Sequence, residues 1–106
     1  MSNPNAVDGG LAVLEAATTE RSVALNRYRE YTLRHDGEDA TGSPNSSTVY
    51  LALNQAPSPD AAAGEDRFKL LAGSVVVIGP GVTTLRFRTA SGAPTISVSA
   101  GPMIGR

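Results

Sequence analysis

Short segments in which apolar and polar residues alternate, each ended by a turn signal, constrain this chain most. In REYTLRH, Tyr31, Leu33 and His35 share one face and the intervening residues share the other. This period of two is typical of a β-strand with one buried face. The same pattern recurs in TVYLALN (48–54), RFKLL (67–71), VTTLRFRTA (82–90) and PTISVSA (94–100). Glycine, proline, asparagine and aspartate separate these segments, so the sequence predicts strands joined by turns.

The predicted fold is all-β, a small antiparallel β-sandwich or partly open barrel of about 6–7 strands. Its 106 residues leave room for one hydrophobic core. We expect an irregular N-terminal arm over 1–10 and a single β-sandwich domain over 11–106. Residues 11–17 are compatible with a short strand or a helical turn, and 22–26 with a strand.

Two further features shape the expected sandwich. SVVVI (74–78) is apolar throughout and is bounded by turns, which predicts a central strand buried on both faces. Gly79-Pro80-Gly81 after it predicts a hairpin turn. Residues 36–47 and 55–66 are polar or proline-rich and predict two long loops, and the tail 101–106 is expected to be irregular.

Composition excludes several classes of function. The chain has no cysteine and one histidine, which excludes disulfides, thiolate metal sites and a multi-histidine site. It lacks the long basic tracts of a nucleic-acid binder and an apolar run long enough for a membrane span. MSNPNAVDGG has neither the positive charge nor the apolar stretch of a secretory signal. We therefore expect no cofactor, no metal, no nucleic acid and no membrane partner.

No candidate catalytic or ion-binding group has the partners that its chemistry needs. His35 precedes Asp36, but a serine nucleophile would need an elbow motif that is absent, so a structural histidine is expected. Asp36, Glu38 and Asp39 could ligate a hard cation, yet they lack EF-hand spacing and fit a solvated acidic turn better. The sequence therefore predicts that the protein is not an enzyme.

Charge is distributed unevenly along the chain. Residues 1–66 carry ten acidic residues and four arginines, a net −6, whereas 67–106 carry five basic and no acidic residues, a net +5. Either the two halves interleave and pair their charges, or the chain presents opposite faces to its partners. Arg86 and Arg88 are expected to project from the same face of one strand. This face is either an ordinary solvated surface or a contact patch for an acidic protein. With these arginines, the candidate protein-interface residues are Val7, Leu11, Met103 and Ile104, because charge pairs alone are weak.

The ordered strings REYTLRHDGEDATG, TVYLALN and RFKLLAGSVVVIGPGVTTLRFRTASGAPTISVSAGP carry a family resemblance over about residues 28–100. In their strand, turn and glycine order they resemble the small β-sandwich accessory proteins of tailed-bacteriophage virions, of the capsid decoration or cement type. The resemblance implies a structural role without catalytic residues, such as clamping capsomers or lining a portal or tail joint. It also implies a virion location after assembly in the host cytoplasm.

We therefore expect a capsid decoration protein that binds and stabilises the head shell. Its expected partners are the major capsid protein or other virion subunits, and its own copies in a homo-oligomer such as a trimer. The alternatives are a head–tail or tail joint component and a host- or carbohydrate-binding β-sandwich module. The module is less favoured because the chain has no tryptophan and only three tyrosines for sugar stacking.

Overall fold

Nine strands form two sheets in the computed structural model, which describes residues 3–56 and 67–104. They are β1 (Ala6–Val7), β2 (Leu11–Glu15), β3 (Arg21–Leu25), β4 (Arg29–Asp39), β5 (Val49–Leu53), β6 (Arg67–Leu70), β7 (Val75–Ile78), β8 (Thr84–Thr89) and β9 (Pro94–Met103). The described residues contain no helix. The predicted loop 55–66 lies outside the described residues except for its first two positions.

The two sheets pack as a β-sandwich, which confirms the predicted all-β class. One sheet has five strands in the order β1-β3-β8-β5-β6, and the other has four in the order β2-β9-β4-β7. Neighbours pair antiparallel except β1 and β3, which are parallel. The ambiguous segments are both strands, β2 and β3. The predicted irregular tail is in part strand, because β9 continues to Met103.

The inner faces of both sheets form one core. Tyr31, Leu33 and His35 are fully buried on β4, as the alternation in that strand predicted. Leu85 and Phe87 of β8 are buried from the other sheet. Because alternate residues of a strand point to opposite faces, period-two patterning is sufficient to select these inward positions.

The N-terminal segment belongs to the sandwich, so the expected irregular arm over 1–10 was wrong in part. Ala6 and Val7 pair with Ala24 and Leu25, and Val7 is only 5% exposed. The buried Tyr31 hydroxyl lies 2.8 Å from the Val7 carbonyl oxygen. A sequence of two strand residues is too short to show a pattern, but core burial and backbone pairing hold it in place.

SVVVI is not a central buried strand. β7 lies at the edge of the four-stranded sheet, where Val75 is 57% exposed and Val77 55% exposed, while Ile78 is buried. A sandwich has two layers, so each strand has one covered face and one outer face. An apolar run that would suit a strand covered on both sides therefore exposes alternate valines here.

The turn after β7 does not form a hairpin. β7 and β8 belong to different sheets, so the chain crosses the sandwich at Gly79-Pro80-Gly81, where the Gly79-Pro80 peptide is cis. Gly79 has a φ of 86°, and a Cβ there would lie 2.7 Å from the Arg29 carbonyl oxygen. The turn prediction is correct, but β5 and β6 are the only consecutive strands in the described residues that pair with each other.

The predicted loop 36–47 begins inside a strand. β4 continues to Asp39 through a register shift after His35, and the chain then folds back on itself. The Asp39 N–H donates to the Ser43 carbonyl at 2.9 Å, and the Asn45 N–H donates to the Gly37 carbonyl at 2.9 Å. Residues 37–45 therefore form a small projecting hairpin, in which backbone pairing compensates for the lack of core residues.

Candidate interaction surfaces

The outer face of the four-stranded sheet carries most of the exposed apolar side chains. Leu11 and Val13 lie on one edge strand, β2, and are 72% and 43% exposed. Val75 and Val77 lie on the opposite edge strand, β7. Met103 is exposed at the end of β9 in the same sheet, so five of the six exposed large hydrophobic residues among the described positions belong to this sheet.

Polar residues, three of them small, fill the middle of this face. Thr32 of β4 pairs with Ser99 of β9, and Arg34 pairs with Ser97. The pairing register places these residues between the β2 and β7 aliphatic side chains: Ser97 faces Val13 and Arg34 faces Val75. The outer face is therefore apolar at its two edges and polar along its centre.

The acidic residues at the end of β4, which the sequence suggested as cation ligands, make hydrogen bonds to different parts of the chain. Asp36 accepts hydrogen bonds from the hydroxyls of Thr95 and Ser97, both at 2.8 Å. Asp39 Oδ1 instead accepts from the Thr41 hydroxyl at 2.6 Å and from the Thr41 and Ser43 N–H groups. Within residues 3–56 and 67–104, no group of three or more histidine or acidic side chains is arranged to hold a metal ion.

His35 has a structural position in the fold. Its Nδ1 accepts a hydrogen bond from the Gly37 N–H at 3.0 Å, which leaves Nε2 to donate to the Ser47 carbonyl at 2.7 Å. The buried ring thus joins the register shift of β4 to the segment before β5. Its neighbour Asp36 bonds to the β9 hydroxyls and not to the imidazole.

The outer face of the five-stranded sheet carries the predicted arginine pair. Arg86 forms a two-point ion pair with Glu20, with Nε 3.0 Å from Oε2, and also donates to the Ala56 carbonyl. The hydrogen bond with Glu20 raises the pKa of the Arg86 guanidinium, against a smaller opposing effect of burial. Arg88 donates to the Thr18 carbonyl and lies 5.2 Å from the centre of the Tyr50 ring. Both arginines lie on the predicted face, and both side chains are positioned by contacts within the chain.

Lys69 and Tyr50 extend this basic face. Lys69 of β6 pairs with Tyr50 of β5, and its ammonium group lies 5.8 Å from the Tyr50 ring centre. Tyr50 thus has Lys69 on one side and Arg88 on the other. These residues are far apart in the sequence, with 19 positions from Tyr50 to Lys69, and only the pairing of β5 with β6 and β8 brings them together.

The predicted terminal interface residues have different environments. Val7 is part of the core and cannot contact a partner without opening the sandwich. Leu11 is exposed, and Met103 is 39% exposed beside Asn26, whose amide nitrogen lies 3.6 Å from the Met103 sulfur. Ile104 is half-buried, and its N–H donates to the Tyr28 carbonyl. Of these four residues, Leu11 and Met103 offer side chains to a partner.

The chain matches no protein-family model, no curated protein and no solved structure. In the part of the chain that the structure describes, no helix is long and apolar enough to cross a membrane.

Proposed function

We propose that this protein is a structural subunit of a bacteriophage particle, a decoration protein that binds and stabilises the head shell through protein–protein contacts. The concentration of exposed aliphatic side chains on one sheet carries the proposal. Leu11 and Val13 are adjacent on the outer face of β2, and adjacent exposed apolar side chains mark an interaction site more often than scattered single ones. The motif order described above supplies the phage context.

Energetics favour the aliphatic face over the arginine face as the main contact. An exposed ion pair contributes about 0.2–1 kcal/mol, and Arg86 is already paired with Glu20. Burying apolar surface contributes about 25 cal/mol per Å², so covering Leu11 and Val13 alone outweighs one such pair. We infer that the β2 side of the four-stranded sheet contacts the shell.

Particle analysis followed by reconstitution tests the proposal. Quantitative mass spectrometry of purified particles should find the chain at a copy number comparable to that of the major capsid protein. Heads that lack the chain should then bind purified protein. Leu11→Lys with Val13→Lys should lower occupancy at least about tenfold, because charges would have to be buried against the shell.

Ser22→Lys with Ala24→Lys is the matched control, since both residues are exposed on the outer face of the five-stranded sheet. This control should bind like the unmodified chain. Absence from particles, or equal occupancy of the two double variants, would overturn the proposal. A copy number of a few per particle would assign the chain to a joint, and specific glycan binding would assign it to a host-binding module.

A further inference from the structure

β7 leaves an open row of backbone hydrogen-bonding groups at the edge of its sheet. The His35 N–H donates to the Ser74 carbonyl, which makes this a hydrogen-bonded pair at the start of the β4–β7 ladder. Pairs in an antiparallel ladder alternate between bonded and non-bonded. The N–H and C=O groups of Val76 and Ile78 therefore face β4, and those of Val75 and Val77 face outward. No described residue donates to or accepts from these outward groups.

The other sheet edges in the described chain are very short, charged, or capped at one end by a side chain. β1 has two residues, and β6 carries the exposed Lys69, a charge that discourages strand pairing. The Asn3 side-chain amide bonds both the N–H and the C=O of Glu15 at the end of β2. The Asn3 amide thus occupies the outward backbone groups of Glu15, and the chain then crosses to the other sheet, where β1 pairs with β3.

We propose that β7 pairs antiparallel with β7 of a second copy of this chain, about a two-fold axis at Val76. In this register, Val75 of each copy lies opposite Val77 of the other, and each such pair exchanges two backbone hydrogen bonds. Both four-stranded sheets then join into one continuous sheet, with the four valines adjacent on the same outer face. The strand is thus its own complement, which an isologous dimer contact requires.

The flanking residues permit this pairing. Ser74 and Gly79 at the two ends of β7 carry no charge and no bulky side chain. The neighbouring outward residues on β4 are Thr32 and Arg34, and in this register each Arg34 lies beside its own Val75 and away from the two-fold axis. The contact therefore brings together two uncharged edges and keeps the like charges apart.

A strand of four residues makes a small contact. The interface is below the size of a standard stable complex, so we expect weak dimerisation in dilute solution. On a particle surface, neighbouring copies are held at a high effective concentration, where a weak contact becomes significant. The inference rests on the proposed function for this setting. A two-fold contact is complete in a dimer, so the expected trimer would have to form through other surfaces.

Sedimentation equilibrium of the full chain tests the pairing. The unmodified chain should dimerise at concentrations below about 1 mM. Val75→Lys with Val77→Lys should weaken the dimer at least about tenfold, because lysines then lie opposite lysines. Val75→Glu with Val77→Glu should also be monomeric alone, and an equimolar mixture of the lysine and glutamate variants should restore the dimer.

Ser22→Lys with Ala24→Lys is the matched control, because it places the same two charges on exposed outward residues of the other sheet. It should leave dimerisation unchanged. Amide exchange gives a second measurement: Val75 and Val77 should gain protection as concentration rises, while Leu11 and Val13 should not. A chain that stays monomeric at about 1 mM, or a Ser22→Lys/Ala24→Lys variant as impaired as the β7 variant, would overturn the two-fold pairing. Particle binding by a monomeric chain would still support the proposed function.

Discussion

Single polar side chains join segments that the strand ladders leave unconnected. The buried Tyr31 hydroxyl lies within hydrogen-bond distance of the Val7 and Asp8 carbonyls and accepts from the Asn26 N–H at 2.9 Å. It thereby links β4 to β1 and to the end of β3. At the other end of the buried face of β4, His35 likewise joins two segments, through its hydrogen bonds with Gly37 and Ser47. Both groups are satisfied inside the core, where an unpaired polar atom is costly.

Tyr31→Phe should lower the free energy of unfolding by about 1–2 kcal/mol, because it leaves a backbone N–H and a carbonyl without their buried partner. Urea unfolding measures the loss. Tyr28→Phe is the control, since the Tyr28 hydroxyl accepts from Arg27 at an exposed site. It should change stability by less than about 0.5 kcal/mol. Equal losses in the two variants would contradict the role of the Tyr31 hydroxyl.

Asp39 should make the 37–45 hairpin sensitive to acid. The Thr41 hydroxyl bond is the largest cause that lowers the pKa of this carboxyl below 3.8, burial opposes the shift, and the Ser43, Thr41 and Gly42 backbone groups add to the lowering. A carboxyl whose pKa is lower in the folded state stabilises the fold at pH values above its ordinary pKa. This stabilisation is lost as the pH falls through the lowered pKa. The hairpin should therefore loosen only below about pH 3.8.

An NMR titration of the Thr41 and Ser43 amide shifts checks this pH dependence. In the unmodified chain, both shifts should change with a midpoint below 3.8. In Asp39→Asn, which keeps an acceptor oxygen but has no carboxyl proton, this transition should disappear. A midpoint above 3.8 in the unmodified chain would show that the hydrogen bonds do not favour the carboxylate.

At the scale of elements, the N-terminal segment contributes to the core and covers a strand edge. β1 pairs with β3, and Asp8 accepts from the Asn26 amide at 2.9 Å and pairs with Arg29 at 3.1 Å. These contacts hold the Asp8 pKa below its ordinary value, with the Asn26 bond as the largest cause. The segment 1–10, which the sequence predicted to be an irregular arm, therefore makes its contacts within its own chain.

Deletion of residues 1–10 should destabilise the isolated domain by about 3–5 kcal/mol, since it removes the buried Val7 side chain and the partners of the Tyr31 hydroxyl. Thermal and urea unfolding measure the loss. Val7→Ala should account for about 1–2.5 kcal/mol of it through the cavity alone. An unchanged midpoint after the deletion would mean that the segment is not part of the fold in solution.

The two faces of β7 should respond differently to substitution. Val75→Thr keeps a β-branched side chain on the outer face and should change the stability of the dilute monomer by less than about 0.5 kcal/mol. Ile78→Ala removes a core side chain and should cost about 2–5 kcal/mol. Urea unfolding compares the two variants. A large loss from Val75→Thr would support the predicted central strand over the observed edge.

At the scale of the whole molecule, the sandwich mixes two halves of opposite charge. β8, from the basic half, lies between β3 and β5, both from the acidic half. The Glu20–Arg86 pair is the one salt bridge among the described residues that joins the two halves; those at Arg21 and Arg29 are within the first. The two halves of the chain thus interleave, as one of the two sequence-based alternatives predicted, and their charges pair at this contact.

A double-mutant cycle with Glu20→Gln and Arg86→Gln should give a coupling energy of about 0.2–1 kcal/mol, the range for partly exposed pairs. The coupling should decrease in about 1 M salt, where charges are screened within about 3 Å. Urea unfolding at both ionic strengths measures it. A coupling near zero, together with a loss of stability in Arg86→Gln alone, would indicate that Arg86 contributes through its contact with the Ala56 carbonyl and not through the charge pair.

The strand character of most segments, and the inward residues of β4, β5 and β8, could be predicted from the amino-acid sequence. This is possible because side-chain alternation and turn chemistry are local properties of the chain. Tyr31, Leu33 and His35 could be assigned to the core without knowing which strand lies beside them. The two-residue β1 was missed for the same reason, since it is too short to contain a period.

Which strands are neighbours could not be predicted in this way. A turn such as Gly79-Pro80-Gly81 has the same local chemistry whether the next strand pairs with the last one or crosses to the other sheet. Strand order depends on pairing between distant segments, as in β2 with β9 and β3 with β8. That order places the valines of β7 at an exposed edge and Tyr50 between Lys69 and Arg88, so the surfaces available to a partner arise from packing that local sequence does not encode.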